Sequence, residues 1–256
     1  MRDEKMEKHL EEKMYEWTPD KIRWYQDACE YPWNNRNQLL ADAIMKHLSK
    51  EVTICDLGCG IGGLSLVLSP KVHKVIAVDQ NHHALECLKE SIYKKQIHNI
   101  EVMEGNYKNL ELSPLPDVTI LCMAGGLVPH LKEVLSLTGK ELYFITGNSG
   151  YHHFKTHKKK KSFETTEQIK ACLESNGLKY EEEILLTRFG QPFKSMEDAV
   201  LFMSCYNREE SIEQIKTHLL EKLEETKDET FPYYYPCEKA YRLFRIFTKK
   251  LRGFDF

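Results

Sequence analysis

The 256-residue chain is 41% hydrophobic and 29% charged, enough to bury a sizeable core as one domain or as one domain with a small cap. A formal net charge of −3 leaves no global field to draw nucleic acid or an anionic membrane. The eight cysteines are scattered without a C-x-x-C pair, which argues against a zinc knuckle or redox motif and fits a reducing cytoplasm. The charged start, Met1-Arg-Asp-Glu-Lys-Met, lacks the apolar core of a signal peptide, and no apolar run approaches membrane-spanning length.

Residues 3–15 are highly charged and read as an exposed helix. Thr18-Pro19-Asp20 is a helix start, with a capping threonine and proline at the first helical position. Ile22, Tyr25 and Cys29 follow at helical spacing, and Pro32 ends the run. A second helix is expected from Asn35 to Leu48. From Val52 the pattern alternates between strand and helix. Strands are expected at Val52–Cys55, Val72–Val78, Ile100–Met103, Val118–Met123 and Leu142–Thr146. Between them, helices are expected at Leu64–Leu68, after Asn81, and at Leu127–Leu137. Thr165 and Gln168 form a capping box for a helix that ends at Gly177. Tyr180–Phe189 reads as strand, Ser195 and Asp198 open another helix, and Ile212, Ile215, Leu219, Leu220 and Leu223 mark a further amphipathic one. Phe231–Pro236 reads as an irregular aromatic linker, and Ala240–Thr248 as the last strand. Strands alternating with helices predict an α/β, doubly wound, mostly parallel seven-stranded sheet. The C-terminal strand is expected to be an antiparallel edge strand.

The most informative stretch is Val52-Thr-Ile-Cys-Asp-Leu-Gly-Cys-Gly-Ile-Gly-Gly63. An apolar strand that ends in a glycine-rich turn and opens a helix brings backbone close to a nucleotide-like ligand. Gly58, Gly60 and Gly63 satisfy G-x-G-x-x-G, the dinucleotide signature. Gly58, Gly60 and Gly62, preceded by Asp56, satisfy the acid-x-G-x-G-x-G pattern of S-adenosylmethionine-dependent methyltransferases. A carboxylate two residues before the first glycine would repel a pyrophosphate and suits a cationic sulfonium with an α-amino group. Two helices also precede the motif, and the elements after the fifth strand suit an antiparallel hairpin at the sheet edge.

Together these features resemble the Rossmann-like, or class I, methyltransferase family over most of residues 35–250. The resemblance is specific in Val52–Gly63, in Val75-Ile-Ala-Val-Asp79 and in the order of elements. It implies that the Gly58–Gly62 backbone, with Cys59 as a small spacer, passes under the methionine part of S-adenosylmethionine. Asp79, with Gln80 beside it, would accept from the ribose hydroxyls, much as the acid after the second strand does in dinucleotide enzymes. Asn106, where the family more often has Asp, would recognise the adenine amino group beside Tyr107, because its carbonyl oxygen still accepts. A plain turn role is the alternative for Asn106. The carbonyls near Cys122 and Met123 would receive the cofactor's amino group. Tyr25 and Tyr31 could line a lid, or could simply pack a helix.

A sulfonium methyl is already activated, so positioning and desolvation supply most of the catalysis, and no catalytic residue is assigned. The fourth strand ends in Cys122-Met-Ala-Gly-Gly126, without the Asn/Asp-Pro-Pro-aromatic motif of the exocyclic amine enzymes, and the Pro-Cys pair of cytosine-C5 enzymes is also absent there. His130 is a speculative base. His152, His153 and His157 suggest a metal by spacing, but the glycine before them and Lys158–Lys161 after them argue for a loop, so no metal site is assigned. The expected organisation is an N-terminal helical lid over 1–49 and a methyltransferase domain over 50–256 with a helical insertion at about 195–228. The expected activity is methyl transfer to a small-molecule acceptor in the cytoplasm, with no membrane partner and nucleic acid disfavoured. The rivals are a nucleic-acid or protein methyltransferase, a non-catalytic S-adenosylmethionine-binding protein and, against the evidence of Asp56, a nicotinamide oxidoreductase. Acceptor atom and oligomeric state are not written in these motifs.

Overall fold

The computed structural model describes residues 17–148, 153–156 and 164–248. Two helices come first. Helix α1 (Pro19–Glu30) is capped by Thr18, whose hydroxyl accepts from the Lys21 N–H at 3.4 Å, with proline in its first turn. Helix α2 (Arg36–Met45) buries Leu40, Ala41 and Ile44 completely. Strand β1 (Thr53–Leu57) then leads through the glycine turn into helix α3 (Gly63–Leu68). Strand β2 (Lys74–Asp79) is followed by helix α4 (His82–Lys94), which Asn81 caps by accepting from the Ala84 N–H at 3.0 Å. Strands β3 (Ile100–Glu104) and β4 (Val118–Cys122), helix α5 (Leu131–Ser136) and strand β5 (Glu141–Gly147) continue the alternation. The helix expected from Leu127 begins as a single 3-10 turn over Val128–His130, with Pro129 in the first turn, where its missing N–H leaves no ladder bond unmade.

Helix α6 (Thr166–Ser175) carries the expected capping box, and strand β6 (Lys179–Arg188) follows it. The chain then forms strand β7 (Gln191–Phe193), helices α7 (Met196–Tyr206) and α8 (Ile212–Lys222), and strands β8 (Glu224–Glu225), β9 (Tyr233–Tyr235) and β10 (Glu238–Phe247). The main sheet is seven-stranded in the order β3-β2-β1-β4-β5-β10-β6. Strands β1 to β5 pair in parallel, and β10 runs antiparallel to both β5 and β6. This is the expected Rossmann-like doubly wound sheet with an antiparallel pair at one edge. The C-terminal strand is antiparallel as expected, but it lies second from that edge with β6 outermost. Burial explains the placement. Strand β10 buries Tyr241, Leu243, Phe244 and Ile246, whereas β6 exposes Glu181, Glu182 and Glu183, charges that discourage a further strand from pairing.

The period of two along the strands divides the core into two layers. Cys55, Leu57, Ile76, Val78, Leu121 and Phe144 face α5 and α6. Ile54, Val75, Ile120, Tyr143 and Ile145 face α2 and α3. A third cluster unites Trp24 of α1 with Phe193, Phe202, Met203, Ile215, Leu219 and Tyr235. The described part of the 1–49 segment therefore divides, α1 packing with this third cluster and α2 with the sheet's own core, while the helix expected at 3–15 lies outside the described residues. Asp198 fastens the cap, accepting from Trp24 Nε1 at 2.9 Å and from Arg23 at 2.6 Å. Half of the expected aromatic linker at 231–236 is strand: β9 is the centre of a small antiparallel sheet ordered β7-β9-β8. Pro232 and Pro236 hid it, since they flank the three tyrosines that make the ladder.

Candidate functional site

The site lies at the carboxyl ends of the parallel strands, where β1 leaves for β2 on one side and β4 lies on the other. Open α/β sheets bind ligands at such a switch in strand order. Gly58, Gly60 and Gly62 have φ of +70°, +55° and +75°, a conformation that side chains rarely adopt. A Cβ on Gly58 would also stand 2.2 Å from the Cβ of Ala124, so only glycine lets the turn touch the loop after β4. The Gly58 and Cys59 N–H groups donate to the Val78 carbonyl at 2.8 and 2.9 Å, which ties the turn to β2. At the end of β2, Asp79 accepts from the Gly60 N–H at 2.7 Å and from the Asn81 N–H at 2.8 Å, one bond to each oxygen. A carboxylate has about four lone-pair sites, so hydroxyl donors can still be accommodated.

Asp56 lies beneath the turn and is 2% exposed. Its Oδ2 accepts from the Ser65 hydroxyl of α3 at 2.6 Å. Burial pushes its carboxyl up to about 6, against the Ser65 bond and with added repulsion from Asp79. Asp56 thus reaches the crevice through its field and through α3, and not as an open ligand. Cys59 is half-buried, and burial raises its thiol far above the ordinary range, which leaves it a neutral spacer. Next door, Asn106 is exposed at the end of β3. Its amide donates to Gln80 Oε1 at 3.1 Å while its carbonyl accepts from the Lys108 N–H at 3.0 Å. Tyr107 packs edge-on against His130, with ring centroids 5.6 Å apart. The glycine turn, Asp79, Gln80 and Asn106 are therefore brought together along one lip of the crevice.

The opposite lip begins at Met123, which is 40% exposed and held at φ +57°, a strained conformation for a side-chain-bearing residue. The Leu127 and Val128 N–H groups donate to Glu164 at 2.9 and 2.8 Å, fixing the loop that follows β4. Tyr25 stands where α1 meets this lip. Its hydroxyl accepts from Arg36, and its ring packs edge-on against Trp17 at 5.4 Å. Tyr31 does not join it, being 4% exposed and stacked 5.0 Å from Tyr234 within the cap. Of the His/Lys loop, His152, His157 and Lys158–Lys161 lie outside the described residues.

Sequence reasoning missed Trp17, Arg36, Glu164 and Lys239. Trp17 closes over the turn: a Cβ on Gly60 would lie 2.6 Å from its ring. An aromatic just before the Thr18 cap was the available signal. For Arg36 the signal was a cation in the first turn of a helix, where the dipole disfavours it.

The profile of the methyltransferase small domain matches residues 35–113, from α2 into the loop before β4. A probable cobalt-precorrin-6B C(15)-methyltransferase of Methanothermobacter thermautotrophicus is 32% identical over 88 residues, covering 34% of this chain and 45% of the relative. A probable ribosomal RNA small subunit methyltransferase A of Methanosphaera stadtmanae is 34% identical over 73 residues, covering 28% of this chain and 26% of the relative. The match thus spans less than half the length of either curated relative. Magnesium protoporphyrin IX methyltransferase of Synechocystis PCC 6803, solved with S-adenosylhomocysteine bound, shares the fold. Its TM-score is 0.52 at 12% identity, covering 83% of this chain and 81% of that one.

Proposed function

We propose that this chain is a class I S-adenosylmethionine-dependent methyltransferase that methylates a small-molecule acceptor, releasing S-adenosylhomocysteine. The observation that carries the reading is the Gly60–Asp79 pair. The cofactor-binding turn is held open by three left-handed glycines and fastened to a carboxylate with acceptor capacity to spare. The residues present fit the cofactor. The Gly58–Gly60 backbone would lie under its methionine part, Asp79 would accept from the ribose hydroxyls, and Gln80 and Asn106 would meet the adenine end. Carbonyls around Cys122 and Met123 would receive the amino group, and Tyr25 would bound the crevice from α1. Buried Asp56 supplies negative potential below a cation.

When bound, the cofactor supplies an activated methyl group. This chain then needs only to hold the acceptor in line and exclude water, which Trp17, Tyr25 and the cap are placed to do. A small acceptor is favoured by the net charge of −3 and by the aromatic closure around the crevice. The ribosomal RNA relative keeps a macromolecular acceptor as the second reading. All eight cysteines are free, which supports the reading of a reducing compartment. No helix among the described residues is long and apolar enough to cross a membrane.

Calorimetric titration with S-adenosylmethionine, S-adenosylhomocysteine and NADH tests the cofactor. Both sulfur ligands should bind and NADH should not; the reverse pattern would sink the reading. Strong, steeply salt-dependent affinity for RNA would instead favour the second reading.

A further inference from the structure

We propose that Arg36 and Lys239 form a subsite that takes a carboxylate of the methyl acceptor. The inference rests on the methyl-transfer reading and deepens it. Arg36 is the first residue of α2, and no side chain caps that helix, so the positive end of the helix dipole adds to its charge. Its guanidinium carbon lies over Phe189, 3.6 Å from the ring centroid, and 5.2 Å from that of Tyr25. Its hydrogen bonds go to neutral groups only, the Tyr25 hydroxyl and Asn37 Oδ1. Arg23, Arg242 and Arg245 each meet a carboxylate. Among the described residues, Arg36 and Lys239 meet none.

The two cations converge. Lys239 Nζ stands 4.8 Å from the centroid of Tyr241, and Phe189, the ring beneath Arg36, donates its N–H to the Cys237 carbonyl at 2.8 Å, two residues before Lys239. The Lys239 chain runs over Gly147 at the end of β5, where Met123 also arrives. A Cβ on Gly147 would stand 3.4 Å from Lys239 Cε and 3.9 Å from Met123 Cε. Both cations are half-buried, and a half-buried cation without an anion carries a desolvation cost that a ligand's carboxylate would offset. The planar fork of an arginine held on an aromatic face suits a planar carboxylate, and a lysine beside it adds a point charge. The position, over β4, β5 and β10, is across the crevice from Asp79.

The test uses the full chain saturated with S-adenosylhomocysteine and titrates benzoate, its neutral isostere benzamide, and phenyl phosphate. Benzoate should bind at least about tenfold more tightly than benzamide, the worth of one modest ionic contact. Arg36→Gln and Lys239→Gln should each abolish most of that preference and leave the affinity for S-adenosylhomocysteine within about twofold. Equal binding of benzoate and benzamide overturns the subsite, and a strong preference for phenyl phosphate overturns the carboxylate assignment. A tenfold loss of S-adenosylhomocysteine affinity in Arg36→Gln, with benzoate unaffected, reassigns Arg36 to the cofactor's own carboxylate and also overturns it. Failure of S-adenosylhomocysteine to bind the wild-type chain is a separate result that breaks the methyl-transfer reading itself.

Discussion

Over β1, β2 and β3 the lip of the crevice is made of backbone and carboxylates; over β4, β5 and β10 it is made of cations and aromatic rings. The first half is local. Asp56, Gly58, Gly60 and Asp79 lie within two dozen residues, and their geometry is set by left-handed glycines and main-chain bonds. The second half gathers Tyr25, Arg36, Met123, Phe189 and Lys239 from five distant segments. A backbone-built site serves a ligand whose shape never varies. A side-chain-built site can be retuned without disturbing the sheet, which fits relatives that act on a precorrin and on RNA.

The sharpest way to break the first half is Gly58→Ala. The positive φ and the contact with Ala124 should together cost about 3 kcal/mol of stability, read by chemical denaturation. A change below about 1 kcal/mol would mean that the turn is more pliable than its contacts imply. Next is Asp56→Asn. The folded carboxyl titrates near 6, above the usual 3.8, so the folded state binds the extra proton between those values. Stability contributed by this group is full below about pH 4 and is lost as pH rises to about 6. The variant should erase that slope and be up to about 3 kcal/mol more stable than wild type at pH 7 without ligand. Parallel pH profiles for the two proteins would refute the burial argument.

Asp79→Ala should weaken S-adenosylhomocysteine binding by about 2 kcal/mol, the scale of hydrogen bonds to a charged group, while leaving the benzoate preference intact. Loss of both together would show that the two halves are not independent. Tyr25→Phe, on the seam between them, should have the smallest effect. Loss of one bond to Arg36 should lower stability by about 1 kcal/mol, with cofactor affinity nearly unchanged.

The same division explains what could be read in advance. The glycine turn, Asp79 and the parallel strands follow from contiguous residues and fixed periods, so they were legible. The antiparallel run at 238–247 was legible as a strand, but its place inside β6 depends on which of the two edges carries unburied glutamates. Asp56 was legible as a carboxylate beside the glycine turn, yet its bond to Ser65 of α3, nine residues on, was not. Arg36 and Lys239 are separated by about two hundred residues, and nothing in either neighbourhood names the other. The cap sheet was hidden for a related reason, since β9 pairs with strands that precede it by ten and by some forty residues.

The insertion of β10 between β5 and β6 also sets an order of events during synthesis. Strands β1 to β5 can pair as each leaves the ribosome, because every partner has already been made. Strand β6 emerges before its partner and must wait, its ladder unfilled, until some sixty further residues have been added. Long-range pairing of this kind is slow and leaves a sticky intermediate. Lys239 travels on that last strand. A nascent chain halted before residue 238 would hold the glycine turn and Asp79 and lack β10, so the β10 side of the crevice is the last part of the main sheet to be completed.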